Sequence, residues 1–229
     1  MAIDHSLTYR VRSLRNFPHR LRLRDIETLV RRLDPPAGAV YADFGCSNGF
    51  VTARVAWLIG AAQTLAFDHL PAHLERGRSL HPDITFSPLD LNDRASPVPR
   101  CQFVTCFETL EHVGDLDAAV AVLARSLARD GKGLISVPIE IGWRGLVKFL
   151  VKVGLYRYDL AELPARPGTW RYLRALLANQ RMSRFRDRRA GWGTHFGFDC
   201  RDVDEALTRH GIAFCALNRG FTRFYLIGR

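Results

Sequence analysis

The stretch Tyr41-Ala42-Asp43-Phe44-Gly45-Cys46-Ser47-Asn48-Gly49 governs the fold. Ahead of it, Ala39–Phe44 is a short apolar run that reads as a strand. Behind it, Gly49–Ile59 reads as a helix with Phe50, Ala53 and Trp57 on one side. A strand therefore turns into a helix across two glycines, which lack a Cβ and let a backbone pass close to a ligand. The first turn of the helix offers unpaired N–H groups to a carboxylate. Cys46, Ser47 and Asn48 fill the turn between the glycines, and Asp43 stands where a carboxylate would meet an ammonium group. Ser47 fits this turn provided its φ stays negative. By itself the motif is weak, because many α/β proteins carry a strand ending in D-x-G.

Outward from this turn, strand and helix alternate. Thr64–Phe67 is a second strand closed by Asp68, with His69 next, and Pro71–Arg78 is a short helix. Ile84–Ser87 is a third strand, with Asp90-Leu91 just past it. Phe103–Phe107 is a fourth and runs into Phe107-Glu108-Thr109-Leu110-Glu111-His112. A helix follows with Leu116, Val120, Leu123 and Leu127 on one face, stopped by Gly131, before a fifth strand at Gly133–Val137. After a long interruption come a helix near Arg201–His210 and strands Ala213–Leu217 and Arg223–Ile227. The few residues between those last strands are too short for a parallel crossover, which needs about a dozen, so the pair must be an antiparallel hairpin. The expectation is an α/β fold, a doubly wound and mostly parallel sheet that ends in a hairpin.

Such sheets bind ligands beyond the carboxyl ends of their strands, and the polar residues gather there. Asp68 is placed to accept hydrogen bonds from ribose hydroxyls. Asp90-Leu91 is placed to hold an adenine amino group and pack its ring. The nicotinamide-cofactor pattern G-x-G-x-x-G is absent, since Gly45 and Gly49 stand four apart with Ser47 between them.

The ordered set of motifs resembles the class I methyltransferases that use S-adenosylmethionine (SAM). Their glycine motif has the form D-x-G-C-G-x-G, matched by Asp43–Gly49 apart from Ser47, and their segment after the fourth strand reads E-x-L-E-H-V, matched by Glu108–Val113. The resemblance covers roughly residues 36–138 and 194–229. It implies a Rossmann-like seven-stranded sheet, methyl transfer from SAM with S-adenosylhomocysteine (SAH) as product, and a cofactor site built from Asp43, Gly45, Cys46, Ser47, Asn48, Gly49, Asp68, His69, Asp90, Leu91, Phe107 and Glu108. Gly193-Thr194-His195 is similar to a segment of the ubiquinone-biosynthesis O-methyltransferases. His195, Glu108 and His112 are then the candidates for a general base, each with a local packing role as the plainer alternative.

Composition bounds the rest. The chain has 229 residues, 47% hydrophobic and 24% charged, which suits one globular domain. We expect a basic helical segment at 1–34, a methyltransferase domain at 35–229 and a helical insertion or lid at 139–195. Five cysteines with no C-x-x-C pair suggest neither a disulfide framework nor a metal centre, and fit a reducing cytoplasm. The net charge of +10 is uneven: +4 in residues 1–34, +8 in 139–195 and −2 elsewhere. This distribution fits either a solvated surface or an anionic partner.

Within the insertion, Arg144, Lys148 and Lys152 recur every fourth residue, a basic stripe across a helix at 142–156. That stripe suits an anionic membrane surface, peripheral to its inner face, and equally a lid over substrate. Arg181, Arg184, Arg186, Arg188 and Arg189 form a run that is solvated or binds phosphate. The expected acceptor is a small, lipid-linked or glycan-type molecule methylated on oxygen. The alternatives are an RNA acceptor held by the arginines, or SAM binding without catalysis.

Overall fold

The computed structural model describes Tyr9, Ser13 and residues 16–156, 168–186 and 197–228, with side chains described outside 152–156. His195, Arg188 and Arg189 lie outside the described residues.

Two β-α units follow helix α1 (Phe17–Leu33), namely β1 (Val40–Phe44) with α2 (Phe50–Ile59) and β2 (Gln63–Asp68) with α3 (Pro71–Leu80), and β3 (Thr85–Pro88) then leads to β4 (Cys101–Phe107). Next come α4 (Leu116–Ser126), β5 (Leu127–Pro138), α5 (Gly142–Tyr156), α6 (Thr169–Leu177), α7 (Cys200–Arg209), β6 (Ala213–Arg219) and β7 (Thr222–Gly228). The strands form one seven-stranded sheet in the order β3-β2-β1-β4-β5-β7-β6. All neighbours are parallel except β7, which runs antiparallel between β5 and β6. The expected hairpin therefore enters the sheet through its second strand.

Side chains on a strand alternate between faces, so each central strand feeds two cores. Tyr41, Phe103, Leu134 and Phe224 point to one face, where Ile26, Leu29 and Val30 of α1 and Val55 of α2 cover them. Ala42, Val104, Ile135 and Tyr225 point to the other, under Val120 and Leu123 of α4 and Val203 and Leu207 of α7. Cys101 and Cys106 are buried strand residues, as their small apolar side chains suggest.

Two local expectations are corrected. On α2 the buried positions are Thr52 and Val55, while Trp57 is 70% exposed. Thr52 turns inward because its hydroxyl has a buried acceptor in Asp43. At the end of α4 the helix stops at Ser126 instead of Gly131, and Leu127 already pairs with Cys101. The β4–β5 register then shifts before Phe103 meets Lys132, and this irregularity absorbs the glycine.

The insertion builds a small core of its own from Phe149, Tyr172, Ala175, Leu176, Met182 and Phe185. Of the arginine run, Arg181, Arg184 and Arg186 are described; each has a partner within the protein, while Arg181 and Arg184 stay exposed. Arg181 pairs with Asp202 at 2.6 Å and with Glu205. Arg184 donates to Gln180 and lies over the Phe185 ring. Arg186 donates to the carbonyls of Glu111, at 3.0 Å, and Val113, and its guanidinium lies over Phe198. Arg186 thus pins the insertion to the loop after β4. Arg186→Ala leaves two carbonyls without that donor and should cost about 2 kcal/mol, measured by urea unfolding.

Candidate functional site

A cavity of about 610 Å³ opens at the carboxyl ends of β1, β2 and β4. One end is walled by Asp43, Gly45, Cys46, Ser47, Asn48, Asp68, His69, Leu70 and His73. The other is walled by Phe107, Glu108, Thr109, Glu111, His112, Glu140 and Lys148, with Tyr9, His19 and Arg22 from the N-terminal segment.

The glycine turn is sharper than the sequence suggests. Gly45, Ser47 and Gly49 all have positive φ, at +79°, +50° and +79°. The expectation that Ser47 keeps a negative φ is therefore wrong. Its left-handed backbone is held because its N–H donates to Asp68 Oδ2 at 2.8 Å. The glycines also serve packing. A Cβ on Gly45 would lie 2.1 Å from Thr109 Oγ1, and one on Gly49 would lie 2.5 Å from Phe86. Beyond the turn, α2 starts at Gly49 with no side-chain cap and no acidic residue in its first turn, which leaves its dipole open to an anion.

Asp43 is 3% exposed and accepts from Thr52 Oγ1 at 2.6 Å and Thr105 Oγ1 at 2.7 Å. Burial, reinforced by the charge of Asp68, outweighs those bonds and pushes its pKa up to about 6. Asp68 accepts from the N–H groups of Ser47 and Leu70, and the Nδ1 atoms of His69 and His73 lie 3.6 and 3.4 Å from its Oδ1.

At the other end, Glu108 has φ +48°, a conformation that costs a non-glycine residue about 1–3 kcal/mol and commonly marks a working site. One carboxylate oxygen pairs with Arg22 at 3.0 Å and the other accepts from Ser136 Oγ at 3.0 Å. Glu111 is 1% exposed, and its Oε2 has no partner among the described residues. Burial first, then the Glu108 charge, lifts its pKa well above the ordinary carboxylate value. His112 Nε2 lies 3.9 Å from its Oε1. Lys148 turns inward and binds Glu140 at 3.2 Å, so the basic stripe expected along the insertion helix is broken.

Of the residues expected from sequence, Asp43, Gly45, Cys46, Ser47, Asn48, Asp68, His69, Phe107, Glu108 and His112 all line this cavity. Gly49 stands behind it as the helix cap. Asp90 and Leu91 lie off its wall: the Asp90 carboxylate accepts from the N–H and side chain of Asn92, closing a turn, and Leu91 is buried in the core. Arg22, Tyr9, Glu111, Glu140 and Lys148 were missed. Glu111 shares the motif with Glu108 and carried a signal; Arg22 and Tyr9 reach the site only through tertiary packing.

The residues present fit a SAM-like molecule. With Glu108 paired to Arg22 and Glu140 to Lys148, Asp43 and Asp68 leave the glycine-turn end of the cavity negative for a ligand carrying sulfonium and ammonium charges. The buried Oγ of Ser47, a residue of the cavity wall, has no partner among the described residues.

Comparisons with known proteins bear on the fold and the family. A family model described as "Methyltransferase domain" matches residues 17–202. The fold is similar to magnesium protoporphyrin IX methyltransferase from Synechocystis PCC 6803 with bound SAH, at 17% identity, 98% coverage of this chain, 92% of that chain and a TM-score of 0.62. It is similar to a SAM-dependent methyltransferase from Aquifex aeolicus, at 13% identity, 98% of both chains and 0.58. A third similar structure is an S-adenosylmethionine-dependent methyltransferase from Mesorhizobium loti, at 17% identity, 88% and 96% coverage and 0.58. Among curated proteins, none matches the chain.

Proposed function

The chain belongs to the methyltransferase-domain family and is a SAM-dependent methyltransferase; on that premise we propose that it methylates an oxygen of a small, lipid-linked or glycan-type acceptor. The observation that carries the reading is the division of one cavity into two ends, a glycine turn closed by Asp68 and a carboxylate-rich wall at Glu108–His112.

Asp68 would accept from the ribose hydroxyls, since two backbone N–H bonds fix its carboxylate at the cavity edge. Asp43 would face the ammonium, and the uncapped start of α2 the carboxylate. When bound, SAM supplies an activated methyl on a sulfonium, which leaves a neutral thioether. The protein's task is then to align the acceptor oxygen about 3–3.5 Å from that methyl and remove its proton.

Glu108 is committed to Arg22 and Ser136, so its charge suits positioning better than proton transfer. His195 lies outside the described residues and stays a candidate base by its resemblance alone. Glu111 is the better-suited described carboxyl, because it lines the cavity and its Oε2 has no partner among the described residues, so in its ionised form it can take a proton. The O–H proton would pass to Glu111 as the O–CH3 bond forms. The RNA alternative loses support, because Arg181, Arg184 and Arg186 are engaged by the protein itself.

Calorimetry with SAM and SAH tests the cofactor assignment. Asp68→Ala removes a charged acceptor of two hydrogen bonds and should weaken both ligands about 100-fold or more. Unchanged affinity would refute the ribose contact.

A further inference from the structure

Among the described side chains of α5, the outward face is apolar; Lys152 of the expected basic stripe lies outside them. Trp143 is 66% and Leu150 57% exposed, with Val147 and Val151 exposed between and beside them. Positions 143, 147, 150 and 151 share one helical face. Phe149, on the opposite side, is buried in the insertion's core, and Lys148 faces the cavity. The patch continues off the helix, because Phe221 in the β6–β7 turn is also exposed and its ring packs edge-on against Trp143, 6.4 Å between centroids. Clustered exposed apolar groups of this size mark a contact surface.

The charge around the patch identifies its occupant. Arg144 lies over Trp143, 5.4 Å from the ring centroid, at the edge of the apolar face. Trp170, 85% exposed, stands on α6 beside the exposed Arg171 and Arg174, and that helix packs on α5. Tryptophan with aliphatic side chains, bordered by arginine, suits the headgroup layer of an anionic bilayer. There the indole sits between oil and water and each arginine meets lipid phosphate.

We propose that the Trp143–Val151 face of α5 docks on an anionic phospholipid membrane. This deepens the reading of a lipid-linked acceptor, because the helix that touches the bilayer also places Lys148 in the cavity wall. Docking would hold the cavity against the surface that contains the acceptor.

Flotation with vesicles tests this without SAM or acceptor, so its outcome is independent of the methyl-transfer reading. The intact protein should float with phosphatidylcholine–phosphatidylglycerol vesicles and much less with pure phosphatidylcholine. Trp143→Ser/Leu150→Ser should lower the partition about tenfold or more, and Arg144→Glu should act mainly on the anionic vesicles. SAM affinity by calorimetry should stay at the wild-type value in every variant, which separates lost docking from lost folding. Independently of any surface-breaking variant, vesicles with brominated acyl chains should quench the wild-type tryptophan emission, and Trp143→Phe should bind while losing part of that quenching. Equal partition of wild type and double variant would overturn the proposal, as would no binding by wild type. A face that instead joins two copies, seen as a dimer in light scattering that the double variant abolishes without any vesicle binding, would overturn it too.

Discussion

Gly45→Ala should destabilise the protein by about 3 kcal/mol or more and abolish measurable SAM binding, and two independent causes combine to produce the effect. Gly45 has φ +79°, which costs an alanine about 1–2 kcal/mol on backbone grounds alone. The added Cβ would also lie 2.1 Å from Thr109 Oγ1 and 2.8 Å from Thr109 Cβ. A rotamer change could move the hydroxyl but not the Cβ, so the backbone of one loop must give way. Both loops line the cavity, and the Gly45 N–H is bound to the Phe67 carbonyl at 2.8 Å, so the shift would spread to β2 and Asp68. Urea unfolding of Gly45→Ala, Thr109→Gly and the double variant forms the test. The double variant should recover the steric part, with a coupling of about 1 kcal/mol or more. Strict additivity would show that Thr109 is not what requires the glycine.

That contact also shows what a sequence does and does not reveal. The strand-helix alternation, the terminal hairpin and the strand-end carboxylates were legible because each depends on local pattern or connection length. The reasons behind them were not. The sequence pattern of Gly45 and Gly49 speaks for room beside a ligand, and it does not show that their absent Cβ atoms also make room for Thr109 and Phe86, residues far along the chain. The basic segment at 1–34 is expected to be helical, but α1 within it also brings Arg22 to Glu108, and no spacing rule connects residues so far apart. Arg186 looked like one cation in a charge run, and Lys148 like one in a stripe. Each is held by an acceptor, the Glu111 carbonyl or the Glu140 carboxylate, that only folding brings within reach. Charge patterns on a sequence thus located basic segments correctly and misjudged which cations face outward.

Affinity for SAM should rise with pH between 5 and 7, and Asp43 should be the group responsible. In the free protein its pKa stands at about 6 against an ordinary 3.8, because burial penalises the carboxylate more than Thr52 and Thr105 stabilise it. A cationic ligand favours the ionised form, so binding below pH 6 must first expel a proton. The dissociation constant should then fall up to about tenfold per pH unit below 6 and level off above it. Folding stability moves the opposite way. A carboxyl with a raised folded-state pKa contributes fully below the unfolded value of 3.8 and loses that contribution as pH rises through 6, about 3 kcal/mol in all. Asp43→Asn keeps the size of the side chain and can still bond both threonine hydroxyls. At pH 7.5 it should be more stable than wild type by about 1–3 kcal/mol, yet bind SAM about tenfold more weakly or worse, with this pH dependence gone. Calorimetry across pH 5–7.5, in buffers of different ionisation enthalpy, counts the proton released. A wild-type affinity that stays flat over this range would show that Asp43 is not the counter-charge. An Asn variant that binds as tightly as wild type would show the same. Opposite changes in stability and affinity would instead identify Asp43 as a buried charge kept for the ligand at the expense of the fold.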